Sequence, residues 1–184
     1  MEVNKNAKYI IAVGALLLLS RKLLGSFGGG GRLRVPNDSY WYFVKPPQIM
    51  RNDSEGKGHW GAPRNNGKPH KGVDLLANKG EAVYAPFDCV VNRTLLVYDW
   101  SNKWIGWEVK SIENPNIRVK FFYCVLDKGK VGQTFKRGDK LGVMQGINEQ
   151  YSPAMYNHLH VELWENNVNK DITPYLNLQT PTPQ

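Results

Sequence analysis

The sequence predicts a mainly β fold built on an antiparallel sheet. Three observations carry this. Six Trp, nine Tyr and many Val residues sit in short apolar runs, a composition that suits a pleated, half-buried surface. Turn signals recur at Asn65-Asn66-Gly67, Lys79-Gly80, Asp127-Lys128-Gly129 and Arg137-Gly138. No long amphipathic helix and no internal repeat follow residue 40. With 184 residues, 41% of them hydrophobic, the chain can bury one core without disulfide staples.

The chain opens with a separate element. Residues 9–19 form a run of eleven without a charged side chain, flanked by Lys5 and Lys8 on one side and Arg21 and Lys22 on the other. They predict an N-terminal hydrophobic helix. Eleven residues make about 16 Å of helix, against a hydrocarbon core of ~30 Å. Adding Leu23 and Leu24, with Arg21 and Lys22 snorkelling, lengthens the run to a marginal span. The length also suits a secretory signal, but no A-x-A-like cleavage site follows directly, nor a cysteine for lipid attachment. The glycine-rich residues 25–31 isolate the run, which favours a membrane anchor or uncleaved signal over residues 1–24 rather than an ordinary buried helix. Two Lys precede the run and four Lys and Arg follow it up to Arg34, a bias that would hold the following domain on the cytoplasmic side.

Net charge is +8, and residues 1–35 carry six Lys and Arg against one Glu, which leaves only +3 for the rest. A basic tail beside an apolar run points to a membrane or an anionic polymer, with a solvated flank as the plain alternative. The remainder has no basic run with interleaved aromatics, which argues against nucleic acid as a partner.

Residues 25–57 read as a glycine-rich linker and connector. Within it, Tyr40-Trp41-Tyr42-Phe43-Val44 is a short strand or an aromatic clasp, ended by Pro46 and Pro47. Core packing is its plain role and a substrate-facing shelf the sharper one. Residues 81–85 read as a strand. Residues 118–126 and 140–145 read as strands joined around residues 128–137. Residues 177–184 form a polar, Pro-containing tail, expected to be mobile. Cys89 and Cys124 lie in strand-like stretches and read as two free core thiols; a disulfide remains open to an exported domain.

Two short histidine motifs carry the chemistry. His70-Lys71-Gly72-Val73-Asp74 and His158-Leu159-His160 use three of the four histidines. In a strand, His158 and His160 face the same way, with Leu159 and Val161 on the opposite face. His70 and Asp74 share a face in a strand or a helix, and Pro69 and Gly72 disfavour the helix. The spacing therefore predicts a loop or short strand with His70 and Asp74, facing a strand with His158 and His160. Two His and one carboxylate would leave a coordination position open on a divalent metal such as zinc, the catalytic rather than the structural pattern. The remaining motif histidine would serve proton transfer. Isolated surface histidines, each beside an Asp, would explain either motif taken alone. The HExxH motif of helical metalloproteases is absent.

The flanking residues fall in one order: His70-Lys-Gly-Val-Asp-Leu-Leu-Ala, Gly80-Glu-Ala-Val-Tyr-Ala-Pro, Gly138-Asp-Lys-Leu-Gly142 and His158-Leu-His-Val-Glu162. Over residues 58–176 this order resembles the lysostaphin-type, LytM-like zinc endopeptidases, which cut peptide cross-links in bacterial cell walls. The resemblance implies the antiparallel β core of that family (a duplicated hybrid motif) and one zinc ion held by His70, Asp74 and His160. It implies His158 as the catalytic histidine and peptidoglycan peptide as substrate. His59, Tyr123 and Tyr156 are candidates for the substrate groove, His59 through its glycine-rich setting and the tyrosines as substitute hydrogen-bond donors. Active enzymes of the family usually carry a second catalytic histidine in a Tyr-x-His-Leu strand, where this sequence has Tyr123-Cys124-Val125-Leu126. Val125 stands in the place of that histidine. In this the chain resembles the branch containing chemotaxin-2, which keeps the metal ligands and is not regarded as a peptidase. The stretch Gly58-His-Trp-Gly-Ala-Pro-Arg64 resembles bacteriophage domains of the family. Taken with the apolar run over residues 1–24, the resemblance leads to the expectation of a membrane-anchored protein of the cell envelope or of a phage virion. The alternatives are a catalytically silent zinc-bound module that binds wall peptide or protein, and a virion structural protein.

Overall fold

The computed structural model describes Leu33 and residues 37–126 and 130–179. The expected hydrophobic helix and anchor over residues 1–24 lie outside the described residues, as do the glycine-rich stretch and residues 180–184 of the tail. No helix among the described residues is long and apolar enough to cross a membrane.

The described residues form strands in the order β1 (Gln48–Ile49), β2 (Asn52–Asp53), β3 (Gly56–Lys57), β4 (Val73–Leu76), β5 (Ala82–Tyr84), β6 (Cys89–Tyr98) and β7 (Ser101–Ser111). They continue with β8 (Ile117–Phe122), β9 (Cys124–Leu126), β10 (Thr134–Phe135), β11 (Lys140–Met144), β12 (His158–Glu165), β13 (Val168–Lys170) and β14 (Leu178–Gln179). Among the described residues helix is confined to two single 3-10 turns, Ile147–Glu149 and Thr173–Tyr175. The main sheet runs β10-β6-β7-β8-β12-β13, with β4 also paired to β12; a second sheet runs β5-β11-β9. Every pairing in these two sheets is antiparallel. The mainly β, antiparallel expectation therefore holds.

Side-chain alternation gives the main sheet one apolar and one polar face. Val109, Val119, Phe121, Leu159, Val161 and Leu163 are at most 2% exposed and fill the space between the sheets. Burying each contributes roughly 1.5–3 kcal/mol. The intervening residues Glu108, Lys120, His160 and Glu162 stand on the opposite face, which carries the site.

One expectation about elements is corrected, and one choice left open is decided for the clasp. Residues 118–126 are not one strand. At Tyr123 the backbone takes a left-handed φ of 64°, its N–H bonds to Ile105 O and its carbonyl accepts from Gln145 N–H. The chain leaves the main sheet there and enters the second as β9. Residues 40–44 form no strand either. Trp41 makes one bridge to Leu176, and Tyr42, Phe43 and Val44 are buried as a clasp against the core. The connector is thus built into the fold: Gln48 holds it by accepting from Phe43 N–H and donating to Trp41 O.

Cys89 and Cys124 are free and buried, at 0% and 1% exposed. Burial pushes both thiols up to about 12. Neither is expected to react with a thiol reagent at about pH 8 while the protein is folded, because the thiolate is the reactive form. Both should react in denaturant, and a colorimetric thiol count under the two conditions checks this.

Candidate metal and catalytic site

β12 carries the centre of the site, and its neighbours supply the rest by register. His160 lies opposite Asp74 of β4 on one side and Phe122 of β8 on the other. His158 lies opposite Leu76. His70 comes from the loop before β4. That loop lies so close to β12 that a Cβ on Gly72 would fall 2.2 Å from Val161 O and 2.9 Å from His160 Cε1. A side chain at residue 72 would therefore push His70 away from the sheet.

Three donor atoms converge. His70 Nε2 lies 2.8 Å from His160 Nδ1 and 3.1 Å from Asp74 Oδ1, and His160 Nδ1 lies 2.9 Å from Asp74 Oδ1. They are the one His/Asp cluster among the described residues with ligand atoms gathered this closely. Bonds of ~2.0–2.1 Å in tetrahedral geometry set ligand edges of roughly 3.3 Å, so the three atoms need to part by only a few tenths of an ångström to fit zinc.

The surrounding hydrogen bonds select the nitrogens that point inward. His70 donates from Nδ1 to His59 O at 2.8 Å, which turns the Nε2 lone pair toward the cluster. His158 donates from Nδ1 to Tyr156 O at 2.8 Å, so its Nε2 is the accepting atom, 3.8 Å from Asp74 Oδ1. His160 Nε2 faces Glu162 Oε1 at 3.4 Å, which leaves Nδ1 for the cluster. Asp74 Oδ2 is taken by two guanidinium groups, Arg64 Nη2 at 3.0 Å and Arg51 Nε at 3.4 Å, and Oδ1 is the atom left facing the histidines.

The charges follow from this packing. Burial pushes Asp74 up, but His158, His160 and His70 together outweigh it and hold the carboxyl well below its ordinary value. Burial lowers His158 more than Asp74 raises it, so its imidazole is neutral near pH 7 and can take a proton at Nε2. Burial would also lower His160, but its bonds to Asp74 and Glu162 lift it to about 9. A metal ion and a proton therefore compete for His160 Nδ1.

Glu162 anchors a row of alternating charge across the sheet, next to the metal row. Cross-strand register aligns Glu162 with Lys120, Glu108 and Arg93 in turn. Lys120 Nζ lies 3.5 Å from Glu162, Arg93 Nη2 lies 3.0 Å from Glu108, and Trp164 Nε1–H donates to Glu162 at 2.7 Å. Despite burial, the bond to His160 and these neighbours hold Glu162 down at about 2. Glu162→Gln is expected to weaken zinc affinity by roughly 10–100-fold, since it removes the charge that fixes His160. Competition against a chromophoric chelator measures this without reference to turnover.

The cleft over the cluster has a volume of about 510 Å³ and includes Arg51, Arg64, Tyr123, Tyr151, His158 and Glu162 in its walls. Of the groove candidates, Tyr123 lines this cleft, its ring edge-on to His158 at 5.5 Å. Tyr156 lines an adjoining cavity of about 640 Å³ that shares Met155 with the cleft. The side chain of His59 is exposed and its Nδ1 turns to its neighbour's carbonyl, Trp60 O, at 2.9 Å; its contribution is the main-chain oxygen that orients His70. Val125 is 39% exposed on β9, and the histidines in the cleft wall are His70, His158 and His160. Sequence reasoning missed Arg51, Arg64 and Glu162. Glu162 was readable, because period-2 spacing from His160 places it on the same face. Arg51 had no signal, lying in a stretch that reads as connector.

Comparison with known proteins agrees with this architecture. Residues 68–172 match the family model described as Peptidase family M23. Leukocyte cell-derived chemotaxin-2 of Bos taurus is 34% identical over 115 residues, 62% of this chain and 72% of that protein. A zinc containing peptidase from Vibrio cholerae superposes with a TM-score of 0.53 at 20% identity, over 83% of this chain and 41% of that one. Lysostaphin superposes with a TM-score of 0.53 at 23% identity, over 76% of this chain and 61% of that one. At these identities the two solved structures show a shared fold, and the chain spans less than two thirds of the length of either. The match over 68–172 covers the His70 loop, Asp74 on β4, the β12 histidines and the sheet between them; the chain belongs to peptidase family M23.

Proposed function

We propose that this chain is a zinc-dependent endopeptidase-like domain that acts on the peptide cross-links of bacterial peptidoglycan. The observation that carries this reading is the convergence of His70 Nε2, Asp74 Oδ1 and His160 Nδ1 within 3.1 Å of one another, beside a neutral His158. His70, Asp74 and His160 would hold one zinc ion. When bound, such an ion supplies the Lewis acid for amide hydrolysis. His158 Nε2 accepts a proton from the attacking water and returns it to the leaving amine. Arg51 and Arg64 keep Asp74 Oδ2 occupied, and Glu162 keeps His160 in one tautomer. We further propose that the segment over residues 1–24 tethers the domain to a membrane, in a cell envelope or a phage virion. Protease protection of a tagged, fractionated protein tests the tether, and full solubility without membrane association would defeat it.

A second reading has its own support: a metal-bound module that binds wall peptide or a protein partner without cutting it. Val125 stands where a second catalytic histidine is expected, and the chemotaxin-2 similarity points the same way. Digestion of purified sacculi by the zinc-loaded full chain, read by mass spectrometry beside His160→Ala, separates the two. New peptide ends that require the intact site support the peptidase. Saturable binding without new ends, across several wall types, supports the module.

A further inference from the structure

The tip of the β6–β7 hairpin carries aromatic surface that neither the core nor the metal site uses. β8 pairs with β7 only from Gly106 onward, so residues 96–105 continue past it as a two-stranded arm. At its tip Trp100 is 69% exposed, and Tyr151 of a neighbouring loop, 53% exposed, lies with its ring 6.5 Å from that of Tyr98. Large apolar side chains this open, grouped rather than scattered, mark contact surfaces.

We propose that Trp100, Tyr98 and Tyr151 form a carbohydrate-binding shelf that takes the pyranose ring of an N-acetylated amino sugar. The occupant is the sugar that carries the peptide entering the metal cleft; to that extent the inference rests on the peptidoglycan reading. The shelf is pre-organised. The Tyr98 and Trp100 rings stack at 4.9 Å with 19° between their planes, so one Trp face is backed by Tyr98 and the other faces solvent. The Tyr98 and Tyr151 hydroxyls bond to each other at 2.5 Å, which ties the arm to the loop before β12. Little side-chain freedom is then left to lose on binding.

The chemistry fits a sugar. A pyranose offers a flat face of C–H groups that lies on an aromatic ring and a rim of hydroxyls that tyrosine hydroxyls can bond. The shelf is also continuous with the cleft: Val97, Tyr123 and Tyr151 stand in the same wall as His158 and His160. A lipid surface is the weaker match, because Asp99 sits between Tyr98 and Trp100 at the tip and an anionic headgroup layer would repel it.

The test is a titration of the full chain with the N-acetylglucosamine–N-acetylmuramic acid disaccharide, without peptide, followed by NMR. Saturable shifts at the hairpin are expected, weakened roughly tenfold by Trp100→Ala. Trp60→Ala, an exposed tryptophan outside the shelf, should leave them unchanged. No saturable shift up to about 10 mM sugar, or equal shifts in Trp100→Ala, overturns the shelf. Loss in Trp100→Ala of binding to lipid vesicles or to bare peptide, with no sugar response, overturns it in favour of those partners. Because the titration does not require cleavage, sugar binding without hydrolysis would fail the peptidase reading alone. Hydrolysis without sugar binding would fail the shelf alone.

Discussion

Asp74→Ala is expected to abolish zinc binding and to destabilise the fold by roughly 3–5 kcal/mol, the cost of leaving a buried cation without its partner. Both effects come from one carboxylate with two roles. Oδ1 completes the donor cluster, while Oδ2 meets the guanidinium of Arg51, a residue only 2% exposed. Asp53, at 3.6 Å from Arg51 Nη1, is the other anionic partner of that side chain among the described residues, and it already accepts from Tyr156 N–H. Without Asp74 the Arg51 charge is buried with only that more distant partner. Denaturant unfolding and zinc stoichiometry, measured on the same sample, read the two effects separately. Asp74→Asn separates them further: it removes the charge but keeps an oxygen toward the cluster. Unchanged stability in Asp74→Ala would mean that Arg51 is solvated or paired elsewhere.

On the proposed peptidase function, His158→Ala is expected to lower kcat by about 10²–10⁴-fold without loss of bound zinc. The bond to Tyr156 O fixes His158 Nε2 as the accepting atom, and it lies 3.8 Å from Asp74 Oδ1, outside the tight donor trio. This placement supports the proposed proton-transfer role over a metal-ligand role. Single-turnover kinetics on a defined cross-linked peptide, with metal analysis of the same protein, check this. Loss of zinc together with activity would make His158 a ligand.

Much of this site could be read from spacing. Period 2 in a strand put His158 and His160 on one face, and Pro69 and Gly72 disfavoured a helix for His70 and Asp74. The structure brings Asp74 opposite His160 across the β4–β12 pair. What spacing could not carry was anything dependent on close approach or on an unusual backbone. Gly72 matters through a contact with Val161 O, distant in sequence. The break at Tyr123 needs a left-handed φ at a residue that rarely adopts one, so residues 118–126 looked like one strand. Arg51 lies in a stretch of mixed composition, and only the folded chain shows its side chain beneath Asp74. The aromatic residues 40–44 read equally as strand or clasp, because periodicity does not separate an irregular buried segment from a short strand.

His70, Asp74 and His160 are proposed to make one open zinc site. Zinc K-edge absorption spectroscopy of the loaded full chain tests it most directly. Two imidazole nitrogens at ~2.0–2.1 Å and oxygen ligands at ~2.0–2.2 Å in a four-coordinate shell are expected, with one imidazole lost in His160→Ala. A six-coordinate, all-oxygen shell, or a spectrum that His160→Ala leaves unchanged, would contradict it.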